Sequence, residues 1–288
     1  MKNLNYELKQ ICHRNRDGSF AKQDARERIL TQIANQLEQL GFKNMRASSL
    51  KPKHVEALLA QWKGEGLSCG TIKNRMVELR WLAEKINKKN VIARSNNYYQ
   101  IEQRTFVTNV SKARTLEGTE LAKVSDPNTR LSLRLQAEFG LRREESIKIR
   151  PLQADQGARL VLQASWTKGG RAREIPILSA AQRRVLEEAK TLAGKGSLIP
   201  AEQSYLQQLK RFVYQCGKAG IDHVHGHRHA YAQRRYFELT GRLCPAAGGL
   251  CSKELTPVQK RMDREARLTI SAELGHQREQ ITAVYLGR

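Results

Sequence analysis

Cysteine, acidic residues and long apolar runs are all scarce in this chain of 288 residues. Its five cysteines are odd in number and scattered, which is typical of free thiols in a reducing compartment and excludes a disulfide scaffold. No run of about eighteen apolar residues occurs, and the amino-terminal stretch MKNLNYELKQ has no apolar core, so neither a spanning helix nor a secretory signal is predicted. We therefore expect a soluble protein that works inside a bacterial cell or a nucleus.

Positive charge is what the chain has in excess. Lysine and arginine number 51 against 28 acidic residues, which gives a formal net charge of +23 and a pI of about 10.1. Up to residue 110 there are 20 basic and 10 acidic residues, so the excess is shared by both parts of the chain. A surface of this sign attracts polyanions, and the absence of a membrane segment favours nucleic acid over lipid. We expect two basic surfaces that hold a DNA duplex between them.

The first part of the chain predicts helices. Apolar residues recur at helical spacing over Ile29 to Leu40, Val55 to Trp62 and Ile72 to Ile86, with Gly41 as a stop signal after the first. On the third predicted helix, three basic residues lie off the apolar stripe and are candidate phosphate contacts: Lys73, Arg75 and Arg80. A solvated charged face would show the same pattern. Residues 88–112 are polar and weakly periodic, which is typical of a linker.

The second part predicts a mixture of helices and a hairpin. A helix is expected from Asp126 to Gly140, and another begins at Arg143. Two strand-like runs, 160–167 and 172–178, are joined by Lys168-Gly169-Gly170-Arg171, a hairpin signal, and Pro176 confines the second run to a sheet edge. Helices resume from Ser179, interrupted by a loop over 241–252. Arg171 and Arg173 in this hairpin are further candidate DNA contacts.

Four short motifs stand out in the second part, each weak alone. They are, in chain order, GLRREE at 140–145, the Lys168 turn, HGHRH at 225–229, and LGH at 274–276 followed by Tyr285. An arginine at a helix start is commonly a surface ion pair, and a tyrosine near a carboxyl end commonly packs the last helix. The order and spacing of all four together argue for a shared site.

Together these motifs resemble those of the tyrosine recombinase, or phage integrase, family, over nearly the whole chain. The resemblance implies a helical core-binding domain with its linker at 1–110 and, at 111–288, a mainly helical catalytic domain with a small β-sheet. It also implies the site residues: Arg142 and Arg228 as catalytic arginines, Glu145 as their acidic support, Lys168 as the hairpin lysine, His225 and His276 as the two histidine positions, and Tyr285 as nucleophile. It further implies double-stranded DNA as partner, a homotetramer in the synaptic complex, and strand exchange through a Holliday junction.

The chemistry of these residue types agrees with the resemblance. A tyrosine that attacks phosphorus keeps the phosphodiester energy in a 3′-phosphotyrosyl ester, so rejoining needs no ATP. Two planar guanidiniums can hold the non-bridging oxygens bidentately and favour the phenolate. A lysine at a hairpin tip suits protonation of the leaving 5′ oxygen. We expect no metal and no cofactor, a cytoplasmic location at nucleoid DNA, and no membrane partner.

The chain departs from the family pattern in two places. The interval from Arg228 to His276 is long, and the surplus is expected at 240–267, including a helix from Thr256 to Arg267. It would be either a tolerated surface insertion or a contact with DNA or another protomer. Only three residues follow Tyr285, so a further helix that packs on a neighbouring protomer is not expected, and neither is an additional arm-type DNA-binding domain before the core-binding region.

Three other interpretations remain open. Alternation of His223, His225, His227 and His229 would place four histidines on one face of a strand as a metal site, although Arg228 among them would repel a cation. The same catalytic residues could relax supercoils, as in a type IB topoisomerase. The fold could also have become an inactive DNA-binding protein, although binding alone needs no tyrosine in register with two arginines.

Overall fold

The computed structural model describes residues 3–167, 169–276 and 278–288. Within these residues the chain forms two compact units, which divide between Thr105 and Phe106 and are described separately. No helix in the described ranges combines the length and apolarity that crossing a membrane requires.

The described residues of the first unit form helices joined by loops, with no strand. Its helices are α1 (Asn3–Arg14), α2 (Phe20–Gln39), α3 (Pro52–Gly64) and α4 (Cys69–Lys85). The three predicted stripes lie on α2, α3 and α4 and meet in one core, in which Trp62 is fully buried and donates its indole N–H to Gln36 Oε1 at 3.0 Å. Ser19 and Ser68 cap α2 and α4 by accepting backbone N–H groups.

The predicted linker is shorter than expected. Residues 88–101 belong to the first unit, where two short 3-10 turns (Lys89–Val91 and Asn97–Tyr99) carry Ile92 and Ile101 into the core. Two isolated apolar side chains give no periodicity in the sequence, but their burial anchors the segment.

The second unit combines helices with one small sheet, so the predicted fold class is confirmed. Its helices are α5 (Gly118–Ala122), α6 (Pro127–Phe139), α7 (Arg143–Lys148), α8 (Pro151–Ala154), α9 (Ala180–Ala193), α10 (Tyr205–Ala219), α11 (Gly226–Thr240), α12 (Pro257–Glu273) and α13 (Glu279–Leu286). Helix α11 packs against α6, α12 and α13 and thereby brings distant parts of the chain to one place.

The hairpin is present but its strands are short. Strands β1 (Arg159–Leu162) and β2 (Arg173–Pro176) are antiparallel, with Leu162 opposite Arg173. The predicted strand over 160–167 is wrong beyond Leu162, because the chain turns through a short 3-10 helix that places Trp166 in the core. Lys168, the hairpin residue singled out above, lies outside the described residues.

The long interval after Arg228 packs on its own chain. A loop with a 3-10 turn at Pro245–Ala247 leads to α12, and Thr256 caps that helix as the sequence predicts. Cys244 and Ala246 are buried in the same core as Leu286 on α13. The segment therefore supports the last helix in cis.

Candidate active site

Arg142 lies in the short connection between α6 and α7. Gly140 ends α6 with φ +60°, and Arg142 lies just before α7 in an extended conformation. The Glu145 carboxylate turns back to accept the backbone N–H of Arg142 at 2.7 Å and a guanidinium N–H from Arg142 Nη1, also at 2.7 Å. The helix N-terminus favours this negative charge. Arg142 is thus held by its own helix while remaining partly exposed.

Gly140 is a position that no other residue can fill without strain. A Cβ added there would stand 2.6 Å from Tyr231 Cδ1, in addition to the left-handed backbone. We expect Gly140→Ala to lower the free energy of unfolding by about 2–4 kcal/mol, since left-handed strain and overpacking each cost about 1–2 kcal/mol. Urea denaturation measures it. The control is Gly157→Ala, where φ is +72° but no atom lies within 4 Å, so only the backbone strain remains; equal losses in both variants would contradict the packing argument.

Glu145 is shared between two arginines. Its two oxygens accept hydrogen bonds from Arg173 Nη1 at 2.9 Å and Nη2 at 2.7 Å, as well as the bonds from Arg142. Burial alone would raise the pKa of Glu145, but hydrogen bonding to Arg173 and the charges of Arg173 and Arg142 lower it to about 2. The carboxylate is therefore ionised under all physiological conditions.

Arg228 is buried and clamped. It lies in the first turn of α11 and is 1% exposed. Its Nη1 donates to the carbonyl of Gly140, its Nη2 to the carbonyl of Leu274, and Nη2 also lies 3.3 Å from His276 Nε2. Burial lowers the pKa of Arg228 to about 10, which leaves the guanidinium charged at neutral pH. The result is a fixed positive charge in a poorly hydrated site.

The Tyr285 hydroxyl lies between Arg228 and His225. It accepts a hydrogen bond from Arg228 Nε at 3.2 Å and lies 3.3 Å from His225 Nε2. The rings of His229 and His276 pack on the phenol, with centroids 4.6 Å and 5.6 Å away. The phenol oxygen thus has a cation on one side and an imidazole nitrogen on the other.

The histidines around Tyr285 are held neutral. Burial, followed by the charges of Arg228 and Arg142, lowers the pKa of His225 below its usual value. Burial likewise lowers the pKa of His229 to about 4 and, together with Arg228, that of His276 to about 3. A neutral His225 with its proton on Nδ1 can accept a proton through Nε2 from the Tyr285 hydroxyl.

These pKa shifts predict a loss of stability in mild acid. The unfolded histidines bind protons below about pH 6.5, whereas folded His229 and His276 stay neutral to about 4 and 3. The free energy of unfolding should therefore be steady above pH 6.5 and fall between pH 6.5 and 5, by up to about 1 kcal/mol per histidine and pH unit. Urea denaturation at pH 7.5, 6.5 and 5.5 measures it. The double variant His229→Gln/His276→Gln should flatten this slope; a wild-type value unchanged down to pH 5.5 would contradict the assignment.

Side chains from α11 and α12 hold the backbone around Tyr285. Gln233 Nε2 donates to the Tyr285 carbonyl at 3.1 Å, and Arg267 Nη1 donates to the Gly287 carbonyl at 2.9 Å. Arg267 is fixed by Asp263, which also accepts the hydroxyl of Tyr236 at 2.6 Å. These donors satisfy carbonyls at the end of α13 and fix the position of the tyrosine.

The candidate DNA contacts do not all face solvent. Arg75 is buried with its guanidinium carbon 5.1 Å from the Trp62 ring centroid, so its expected placement on the exposed face of α4 is wrong. Arg80 donates hydrogen bonds from Nε to the Ala93 carbonyl and from Nη2 to Asn96 Oδ1, both at 3.0 Å. Arg173 is buried on Glu145, which corrects its interpretation as a DNA contact. Lys73 remains half-buried and Arg171 exposed.

The alternating histidines do not form one face. Residues 226–240 are helical, so the strand geometry that a four-histidine site would need is absent, and His223 lies exposed in the preceding loop. Among the described residues, no three His, Cys, Asp or Glu side chains are grouped as a metal site requires.

Two residues of this site were not recognised from the sequence, although signals were present. Arg173 shares the period of two with Ile175 on β2, and this period marks the buried face of the strand. His229 follows His225 by four residues, which places both on the same side of α11.

Family models match both parts of the chain. The model described as phage integrase, N-terminal, matches residues 1–92, and the model described as integrase matches residues 103–234. The second match includes Arg142, His225 and Arg228 but ends before His276 and Tyr285. No curated protein matches the chain.

Solved structures with the same fold cover almost the entire chain. The Tn1549 transposon integrase in complex with circular intermediate DNA is 15% identical with a TM-score of 0.54, over 100% of this chain and 96% of that one. A lambda integrase dimer bound to a core site is 15% identical with a TM-score of 0.60, over 98% and 78%. XerH recombinase bound to difH is 15% identical with a TM-score of 0.57, over 98% and 81%. At these identities the similarity concerns the fold.

Proposed function

Since the chain belongs to the tyrosine recombinase, or phage integrase, family, we propose that it is a site-specific recombinase that cuts and rejoins DNA through Tyr285. The observation that carries the proposal is the position of the Tyr285 hydroxyl, 3.2 Å from Arg228 Nε and 3.3 Å from His225 Nε2. The buried hydroxyls of Tyr231 and Tyr236 each pair with a carboxylate, which satisfies the hydroxyl and disfavours the phenolate. The Tyr285 hydroxyl instead lies beside a cation and a proton-accepting nitrogen, the two groups that activation of a phenol requires.

In the cutting step the Tyr285 oxygen attacks phosphorus and the bond from phosphorus to the 5′ oxygen breaks. The phenol proton passes to His225 Nε2, whose neutral form accepts it. The 5′ oxygen leaves with a proton, which we assign to Lys168 as general acid. The product is a 3′-phosphotyrosyl ester and a free 5′ hydroxyl, and the reverse attack by a 5′ hydroxyl rejoins DNA without added energy.

Arg142 and Arg228 supply the positive charge for the transition state. Arg142 is partly exposed and uses Nη1 for Glu145, and among the described residues its Nε and Nη2 have no recorded partner. These two groups can hold a non-bridging oxygen, while Arg228 contributes a fixed charge beside the attacking oxygen. Because the arginines provide the charge stabilisation, we propose that the reaction needs no metal or cofactor.

The basic composition of both units supports double-stranded DNA as the partner. We propose that Lys73 and Arg171 contact phosphates, and that each unit binds DNA through its own basic residues. A solved lambda integrase forms a tetramer on a Holliday junction. For this chain we likewise propose a homotetramer that exchanges strands through such a junction, in the bacterial cytoplasm, as the integrase of a mobile element or prophage.

Covalent trapping tests the proposal. Binding sites are first selected from a random DNA pool. They are then made as substrates with a nick beside the cutting position, so that the short fragment carrying the free 5′ hydroxyl diffuses away and cannot rejoin. We expect a covalent protein–DNA complex whose linked peptide contains Tyr285 by mass spectrometry. Failure of every selected site to yield one would overturn the proposal. Relaxation of supercoils with no sequence requirement and no recombinant product would instead indicate a topoisomerase.

A further inference from the structure

Arg173 connects three parts of the active site. It lies on β2, in the hairpin that carries Lys168, and its side chain is 4% exposed. Its Nη1 and Nη2 hold both oxygens of Glu145, and its Nε donates to the carbonyl of Glu273 at 2.9 Å. The next residue along, Leu274, offers its carbonyl to Arg228. Arg173 thus connects β2 to Glu145, which holds Arg142, and to the backbone beside Leu274, whose carbonyl holds Arg228.

The charges explain why Glu145 needs a second arginine. With Arg142 alone, the buried carboxylate would neutralise the guanidinium that faces the substrate. Arg173 pairs with the Glu145 carboxylate and neutralises its charge. Arg142, Glu145 and Arg173 together then carry a net charge of +1, and Arg142 is the member that faces the substrate. Arg142 is then oriented by Glu145 without losing its attraction for a phosphate.

We propose that Arg173 is a positioning residue that neutralises and orients Glu145, so that Arg142 keeps its full charge for the scissile phosphate. This inference rests on the proposed function and adds to it a residue that never touches DNA. It also replaces the interpretation of Arg173 as a DNA contact with a different role.

Single-turnover cleavage of the nicked substrate at saturating DNA tests the role. We expect Arg173→Gln to slow cleavage by about 100-fold while the Kd for DNA stays within about threefold. Arg173→Lys should recover only part of the rate, about tenfold below wild type, because one ammonium cannot hold both carboxylate oxygens. A rate within threefold of wild type for Arg173→Gln would overturn the proposal, and so would a parallel loss of DNA binding, which marks a direct contact.

A matched control lies on the same hairpin. Arg159 pairs with Glu174 at 2.6 Å, but both side chains are more than half exposed, at 59% and 55%. Arg159→Gln removes an arginine–glutamate pair from the sheet without touching Glu145, so its cleavage rate should stay within about twofold of wild type. A loss equal to that of Arg173→Gln would assign the effect to the hairpin fold and overturn the proposal.

A substrate with a methylphosphonate at the cutting position separates charge from structure. One non-bridging oxygen is replaced by methyl, so the reacting group loses one negative charge and needs less compensation. On this substrate the defect of Arg173→Gln should shrink from about 100-fold to less than about tenfold. An unchanged defect would mean that Arg173 only maintains the fold, and would overturn the proposal.

Stability measurements test the contact even if the proposed function fails. Arg173→Gln leaves buried Glu145 with one partner, and Glu145→Gln leaves two arginines without a counter-charge. We expect the double variant to be more stable than the sum of the two losses predicts. Wild-type protein that never cleaves would refute the proposed function alone, whereas additive losses would refute the coupling that the positioning role needs.

Discussion

Tyr285→Phe should abolish the covalent protein–DNA complex, with a loss of at least about 10⁴-fold in cleavage, while DNA binding is retained. Removal of a nucleophile leaves no second group that can form the ester, so the loss approaches the full effect of the catalytic set. The phenyl ring keeps its packing against His229 and His276, because only the hydroxyl is lost. The measurement is denaturing gel electrophoresis of labelled nicked substrate after incubation with excess protein.

Tyr214→Phe is the matched control for this variant. Tyr214 is 66% exposed on α10, and the ring contacts seen among the described residues pair the site histidines with each other and with Tyr285. We therefore expect the covalent complex to form as in wild type. A covalent band from Tyr285→Phe would remove Tyr285 from the reaction. Loss of DNA binding in the same variant would show that the hydroxyl serves the fold instead.

Arg228→Lys should lower single-turnover cleavage by roughly 10³-fold. The guanidinium donates at once to two carbonyls and the Tyr285 hydroxyl and approaches His276. An ammonium has three donors in a different geometry and cannot replace this set. Lysine keeps the positive charge of Arg228, so a lower cleavage rate would result from the changed donor geometry. DNA binding should change by less than about fivefold.

Arg234→Lys provides the comparison on the same helix. Arg234 is 46% exposed and pairs with Glu138 and Glu238 at 3.7 and 3.8 Å, contacts that a lysine can largely keep. We expect a wild-type rate. Thermal unfolding of both variants, followed by circular dichroism, confirms that they are folded at the assay temperature. More than a tenth of wild-type cleavage by Arg228→Lys would contradict the proposed role.

Local signals in the sequence predicted both ends of α6 and the start of α12, but the predicted end of α12 at Arg267 is wrong, because the helix continues to Glu273. Asp126 caps α6 through its carboxylate and Gly140 ends it in the left-handed conformation, as the sequence indicated. Thr256 likewise begins α12. Such caps depend on neighbours within one turn, so a single sequence contains the information.

Contacts between distant segments could not be predicted in the same way. His225, Arg228, His276 and Tyr285 meet in the structure because α11 packs on α13 and on the end of α12. Their chain order showed only that they could meet, and their roles stay predictions. The burial of Arg75 against Trp62 likewise depends on α3 and α4 both packing against α2.

The clamp on Arg228 also bears on where a cut can fall. A side chain held by the carbonyls of Gly140 and Leu274 cannot swing out to follow a misplaced strand. The Arg228 guanidinium is already ordered in the folded protein, so binding of DNA spends no free energy on orienting it. The scissile phosphate must therefore move to the position that Arg228 fixes. Because displacement of a reacting atom by about 1 Å can cost 10²-fold in rate, only one phosphodiester of a bound site should react, and neighbouring linkages in the same strand should stay intact.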